Sequence, residues 1–236
     1  MKFRTLSTLF ILTICAFAFQ QASAQSTIFN VASTDVVAEK SFYIESDYVA
    51  HFGSYANGGF QTYGLRGVYG VGKNVEVGAN VFVSRNESGT PVEIQPNLKW
   101  KAYSNEKHGV AVSGGTVLFV PLNKKAGDRV TGMVYANVSK VVKSTNGTRL
   151  TSGVYTMVGA EKEAGTKTGV MLGVEQPVHR KVNLIADWYS GKNRIGYAAT
   201  GFSVTLSPKQ TLFAGYNFGN SGRGNNALSI FYSYTF

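Results

Sequence analysis

Cysteine is all but absent. The 236 residues hold one, Cys15, and it sits in the apolar leader rather than in the body of the chain. Beyond the leader, neither a disulfide nor a thiol-based site can be built. Charge is also scarce, at 15% of residues, which with 27 Gly, 13 Tyr and 15 Phe excludes a disordered chain and a coiled coil. The net charge of +10 is spread thinly, with no dense basic run of the kind that binds nucleic acid. Past the leader no apolar stretch approaches the roughly 20 residues that a membrane-crossing helix needs. Histidine is limited to His51, His108 and His179, each near the end of a predicted strand. Catalysis therefore has little to stand on, and the chain is expected not to be an enzyme. Only His51, with Ser54 nearby, falls in an inward register, and one His beside a Ser is common by chance.

What is present begins with that leader. Lys2 and Arg4 precede the apolar stretch from Leu9 to Phe19, and Ala22, Ser23 and Ala24 offer a small-residue cleavage site before Gln25. Residues 1–24 are read as an export signal cleaved after Ala24. Ile14 is bulky where a lipoprotein signal wants a small residue, so Cys15 is a poor lipid acceptor. Residues 25–38 are too irregular for a span and are expected to form a short lead-in on the periplasmic side, with residues 39–236 as one domain.

That domain alternates. Val75, Val77, Ala79, Val81 and Val83 interleave with Glu76, Gly78, Asn80, Phe82 and Ser84; Val92, Ile94, Pro96, Leu98 and Trp100 interleave with Glu93, Gln95, Asn97, Lys99 and Lys101. A period of two over such lengths means β-strand with two chemically different faces. About twelve strands follow, near 40–52, 59–70, 74–85, 91–102, 109–120, 129–142, 149–160, 167–177, 181–189, 194–206, 210–219 and 226–236. In 109–120, 129–142, 149–160 and 194–206, Gly and Ala dilute the pattern and leave the facing ambiguous. Pro96 lies mid-strand, where it removes a ladder hydrogen bond, so a bulge or a shorter strand is expected there.

A soluble sandwich also shows one apolar and one polar face per strand. Two signals favour a closed antiparallel transmembrane barrel. Tyr232, Tyr234 and Phe236 end the chain in one register, and Phe42, Phe52, Tyr69, Trp100 and Trp188 sit near strand ends, where aromatic girdles meet a lipid interface. This final strand resembles the terminal signature of Gram-negative outer-membrane barrels. The whole domain is similar to their small channels, those of twelve strands being nearest in size. The resemblance implies an outer-membrane location, contact with lipid, and recognition of Tyr232, Tyr234 and Phe236 by the barrel assembly machinery. It implies no solute.

If apolar positions face lipid, the lumen receives Glu45, Asp47, Arg66, Glu76 and Asn80, then Glu93, Gln95, Asn97, Lys99 and Lys101, and finally Glu175, Asn183 and Asp187. Two readings stay open. These groups line a water-filled path for small polar solutes or ions with weak selectivity, or opposite charges pair and merely fill a structural barrel. Lysines and arginines in the connections either contact lipopolysaccharide phosphates or simply keep turns hydrated. The connections look short on both sides and offer no plug. No cofactor, metal or nucleic-acid partner is expected; Glu45 and Asp47 are read as lumen wall rather than a calcium site.

Overall fold

The structure, a computed structural model, describes residues 26–161, 165–222 and 226–236. The proposed signal, its cleavage site, Gln25, Lys162 and Arg223 lie outside the described residues.

Twelve strands form the wall: β1 (Phe42–His51), β2 (Phe60–Gly72), β3 (Val75–Arg85), β4 (Val92–Asn105), β5 (Val110–Pro121), β6 (Thr131–Val142), β7 (Thr148–Val158), β8 (Thr168–His179), β9 (Val182–Tyr189), β10 (Tyr197–Ser207), β11 (Gln210–Gly219) and β12 (Ala227–Thr235). Each pairs antiparallel with its sequence neighbours, and β1 closes on β12, with Tyr43 opposite Thr235 and Ala50 opposite Leu228. Closure satisfies every strand edge internally, which is what a sheet in lipid requires. No described helix is long and apolar enough to cross a membrane.

The outer surface is apolar all the way round. Leu65, Leu98, Val134, Val154, Leu184 and Ile230 are all exposed, one or more from nearly every part of the wall. A soluble protein rarely exposes a contiguous apolar surface beyond a few hundred Å². A soluble sandwich is therefore excluded by both closure and facing. Aromatic side chains mark the two rims: Phe42, Tyr69, Trp100 and Phe236 at the end carrying the C-terminus, and Phe52 and Trp188 at the other. Phe236 donates its N–H to the Phe42 carbonyl at 2.8 Å, fastening the last residue to the first strand.

Two expectations change. Pro96 causes neither a bulge nor an early stop. The β4–β5 ladder passes from the Ile94–Val120 pair to the Asn97–Val117 pair without a change of register, and the shift comes later, between Lys101 and Tyr103. On the other side Pro96 stays in register with Ala79 of β3. The connections are also unequal. At the end carrying the C-terminus the turns are tight, such as residues 73–74 and 208–209, whereas residues 52–59 and 122–130 make longer loops at the opposite end.

Candidate functional site: a lumen divided by an N-terminal hairpin

The lumen is not empty. Residues 26–38, expected as a lead-in outside the barrel, run inside it, and the expectation that nothing plugs the lumen fails with them. Ile28, Phe29, Val31 and Val37 are completely or almost completely buried. Thr27 bridges Ala32 antiparallel, Ile28 N–H donates to the Val31 carbonyl at 2.7 Å, and Ser33 N–H donates to the Ser26 carbonyl at 3.2 Å. The segment is thus a small hairpin whose tip is residues 28–31.

Asp187 of β9 holds the tip. Its Oδ2 accepts the N–H groups of Phe29, Asn30 and Val31 at 2.9, 2.6 and 2.7 Å. Successive N–H groups converging on one point form an anion-binding nest, and here the anion is a wall carboxylate. Asn30 adds a hydrogen bond to Asn217 of β11 at 3.0 Å. Apolar packing covers the same region. Phe29 meets Phe231 with ring centroids 4.9 Å apart, and Ile28, Phe29, Val31 and Ala32 join a cluster with Tyr155, Met171, Ile185 and Phe213 from the wall. Glycine makes the approach possible: a Cβ at Gly173 would stand 2.2 Å from Ile28 Cδ1, and one at Gly215 would stand 2.9 Å from Phe29 Cζ.

The arms of the hairpin are tied by polar groups nearer the tight-turn end. Glu76 accepts Ser26 Oγ at 2.7 Å and the Val37 N–H at 2.6 Å, and it pairs with Lys99 at 3.0 Å. Lys99 Nζ also donates to the Ser26 and Asp35 carbonyls at 2.8 and 2.6 Å, joining both arms. Asn137 donates to the Ala32 carbonyl at 2.6 Å, and Thr34 shares a hydrogen bond of 2.6 Å with Ser139. Asp35 meets Arg149 at 2.5 Å and Lys101 at 3.6 Å. Burial alone would push the Asp35 carboxyl up, but Arg149, with Lys101 and Lys99 behind it, holds it below the usual carboxylate range.

All the wall residues assigned inward from the sequence project into this interior, though not as one ring. Arg66 Nε pairs with Asp47 at 2.6 Å and Glu45 at 3.3 Å, and Glu93 receives two hydrogen bonds from Arg194, at 2.9 and 2.7 Å. Glu76, Lys99, Lys101 and Asp187 serve the hairpin. Glu175 lies 3.7 Å from Arg149, and Asn183 donates to Ser203 Oγ at 3.3 Å, both away from the open space. Asn80, Gln95 and Asn97 face a cavity of about 650 Å³ beside the hairpin, lined by strands β1–β6 and β9–β12 and reaching the loop at 122–130.

The sequence reading missed the inward apolar residues Phe119, Met133, Tyr135, Tyr155, Met157 and Met171, all buried. Ile185 and Tyr189 were the available signal. They alternate with Leu184 and Trp188, so they had to point inward, and apolar side chains in a water-filled lumen need a cover.

His51 Nδ1 lies 2.6 Å from the Asn226 carbonyl, and no described histidine ring is hydrogen-bonded to a hydroxyl. No described cluster of three or more His, Cys, Asp or Glu is arranged to hold a metal ion.

No protein-family profile and no curated protein matches the chain. Solved structures do. The COG4313 outer membrane channel from Pseudomonas putida F1 is 14% identical, over 85% of this chain and 97% of that one, with a TM-score of 0.54. Outer membrane phospholipase A from Escherichia coli is 12% identical, over 83% and 91%, at 0.47. Omp33 from Acinetobacter baumannii is 13% identical, over 84% and 98%, at 0.45. At such identities, and with only the first above 0.5, the comparison speaks for architecture alone: the chain has the closed twelve-stranded β-barrel fold of outer-membrane proteins.

Proposed function

We propose that this chain is a passive outer-membrane channel of a Gram-negative bacterium, admitting small polar solutes or ions with weak selectivity, and that the N-terminal hairpin closes the path in the state described. The observation that carries the reading is the cavity of about 650 Å³, walled partly by polar side chains, in a lumen otherwise occupied by a segment outside the barrel ladder. A wall segment cannot leave without breaking strand pairing; this hairpin can. The short-turn end, with the C-terminus, then faces the periplasm, since outer-membrane barrels carry short periplasmic turns and longer outer loops.

The rival is a structural barrel that never conducts. It is favoured by the pairing of Arg66 with Glu45 and Asp47 and by the hairpin itself. Planar-bilayer recording separates the two, using the chain from Gln25 onward and a form lacking residues 26–38, each with its fold confirmed by heat-modifiable gel migration. Rare openings in the first and steady conductance in the second support the channel. Silence in both, with folding intact, leaves the filled barrel.

A further inference from the structure

We infer that the lumen cavity is a binding site for an uncharged, ring-sized solute with hydroxyl groups along one edge, as in a neutral monosaccharide. The inference deepens the channel reading and rests on it for biological meaning, but binding is measured without conduction.

Size comes first. Small-molecule sites span roughly 300–1,000 Å³ and combine apolar walls with a few placed polar groups. At about 650 Å³ this cavity lies within that range.

Charge comes next. Glu76 faces Lys99, Glu93 takes two hydrogen bonds from Arg194, and Glu45 and Asp47 share Arg66. An ionic ligand that engaged Arg66, Lys99 or Arg194 would have to break one of these contacts in a partly desolvated space, leaving the acid uncompensated. An uncharged ligand breaks none.

The lining combines polar and apolar side chains. On β2, β3 and β4, Arg66, Asn80 and Gln95 stand side by side in register. Asn80 accepts from Asn97 at 3.4 Å through Oδ1, and Gln95 donates to Glu93 at 2.7 Å through Nε2. The Asn80 NH2 and the Gln95 side-chain Oε1 have no hydrogen-bond partner among the described residues. Asp47 Oδ1 is buried without a partner as well. This wall therefore offers both a donor and acceptors, and a hydroxyl is the small neutral group that serves both. The same cavity is also lined by Phe82, Phe119, Met133, Tyr135 and Phe231, and the guanidinium of Arg66 is flanked by the rings of Phe82 and Phe231, at 5.7 and 5.8 Å to their centroids. An apolar ring face packs against these side chains while its hydroxyl edge meets the amides.

The experiment uses the folded chain in phosphatidylcholine vesicles and titrates three probes by saturation-transfer NMR: methyl β-D-glucopyranoside, glucuronate and cyclohexanol. The expected result is saturable glucoside binding in the range of about 1 mM, at least fivefold weaker for glucuronate and for cyclohexanol. The Asn80→Ala/Gln95→Ala double variant should weaken glucoside binding at least fivefold. Asn80→Ser, which keeps a smaller polar group, serves if the double variant fails the gel-migration test. No saturable glucoside binding overturns the inference. Tighter glucuronate binding overturns it in favour of a charge site, and cyclohexanol binding that equals the glucoside and ignores the variants overturns it in favour of an apolar one. Binding without conductance would spare this site and sink the channel; conductance without binding would do the reverse.

Discussion

Asp187→Asn should loosen the hairpin while leaving the barrel intact. The native carboxylate oxygen accepts three N–H groups between 2.6 and 2.9 Å. Hydrogen bonds to a charged partner contribute about 1.5–3 kcal/mol each, roughly twice a neutral one. Asparagine keeps an oxygen at the same point but loses the charge, so about half of each bond goes. Part of that loss is returned, because a buried charge no longer has to be kept out of water. The balance is a docking penalty of about 1–3 kcal/mol, equivalent to about a 5–150-fold larger undocked population. The chain from Gln25 onward has no thiol, so Ala32→Cys gives a single reporter on the hairpin itself, buried when the hairpin is docked. Maleimide labelling of that cysteine should accelerate by the same factor in the Asp187→Asn background. Asn183→Ala, on the same strand but bonded to Ser203 rather than to the hairpin, should leave the rate unchanged. Equal labelling rates with and without Asp187→Asn would refute the docking role.

Three further outcomes follow from the same geometry. Val81→Arg, mid-strand on the lipid face, should cost about 2–4 kcal/mol in refolding titrations, and the lumen change Glu76→Gln far less; equal costs would mean the facing is wrong. Deleting Phe236, which is fastened to Phe42 and has its ring 4.6 Å from that of Tyr234 in a tilted contact, should lower the folded amount in the membrane without changing the conductance of each folded barrel; unchanged folded levels would dismiss an assembly role. Because the docked Asp35 carboxyl is held below its ordinary value by Arg149, Lys101 and Lys99, against its burial, its share of docking is fully present above about pH 4 and is lost as pH falls through the docked pKa. Ala32→Cys labelling should therefore rise on strong acidification, and Asp35→Asn should flatten that part of the rise; an identical acid profile in Asp35→Asn would exclude it.

Much of the barrel was legible in the sequence. Period-two alternation is a local property, so β3, β4, β9 and β12 announced both their existence and their facing through contrasts such as Val77 against Glu76 and Leu184 against Asp187. Closure followed from strand number and from the aromatic ends. Alternation lost its voice in β5, β6, β7 and β10, where apolar residues occupy both faces: Val134 and Val154 toward lipid, Met133 and Tyr155 toward the hairpin.

What only the tertiary structure decided is the content of the lumen. Residues 26–38 have no period, because a hairpin wedged between wall strands meets a different neighbour at almost every position. Its partners stand far off in sequence, Glu76 39 positions from Val37 and Asn217 187 positions from Asn30. The same distance separates a charge from its pairing. Sequence placed Lys99, Lys101 and Asp187 inside; the fold gave Lys99 to Glu76, Lys101 to Asp35, and Asp187 to three backbone N–H groups. A side chain's facing is fixed by its immediate neighbours in the strand, whereas its partner is fixed by which segments closure brings across the barrel.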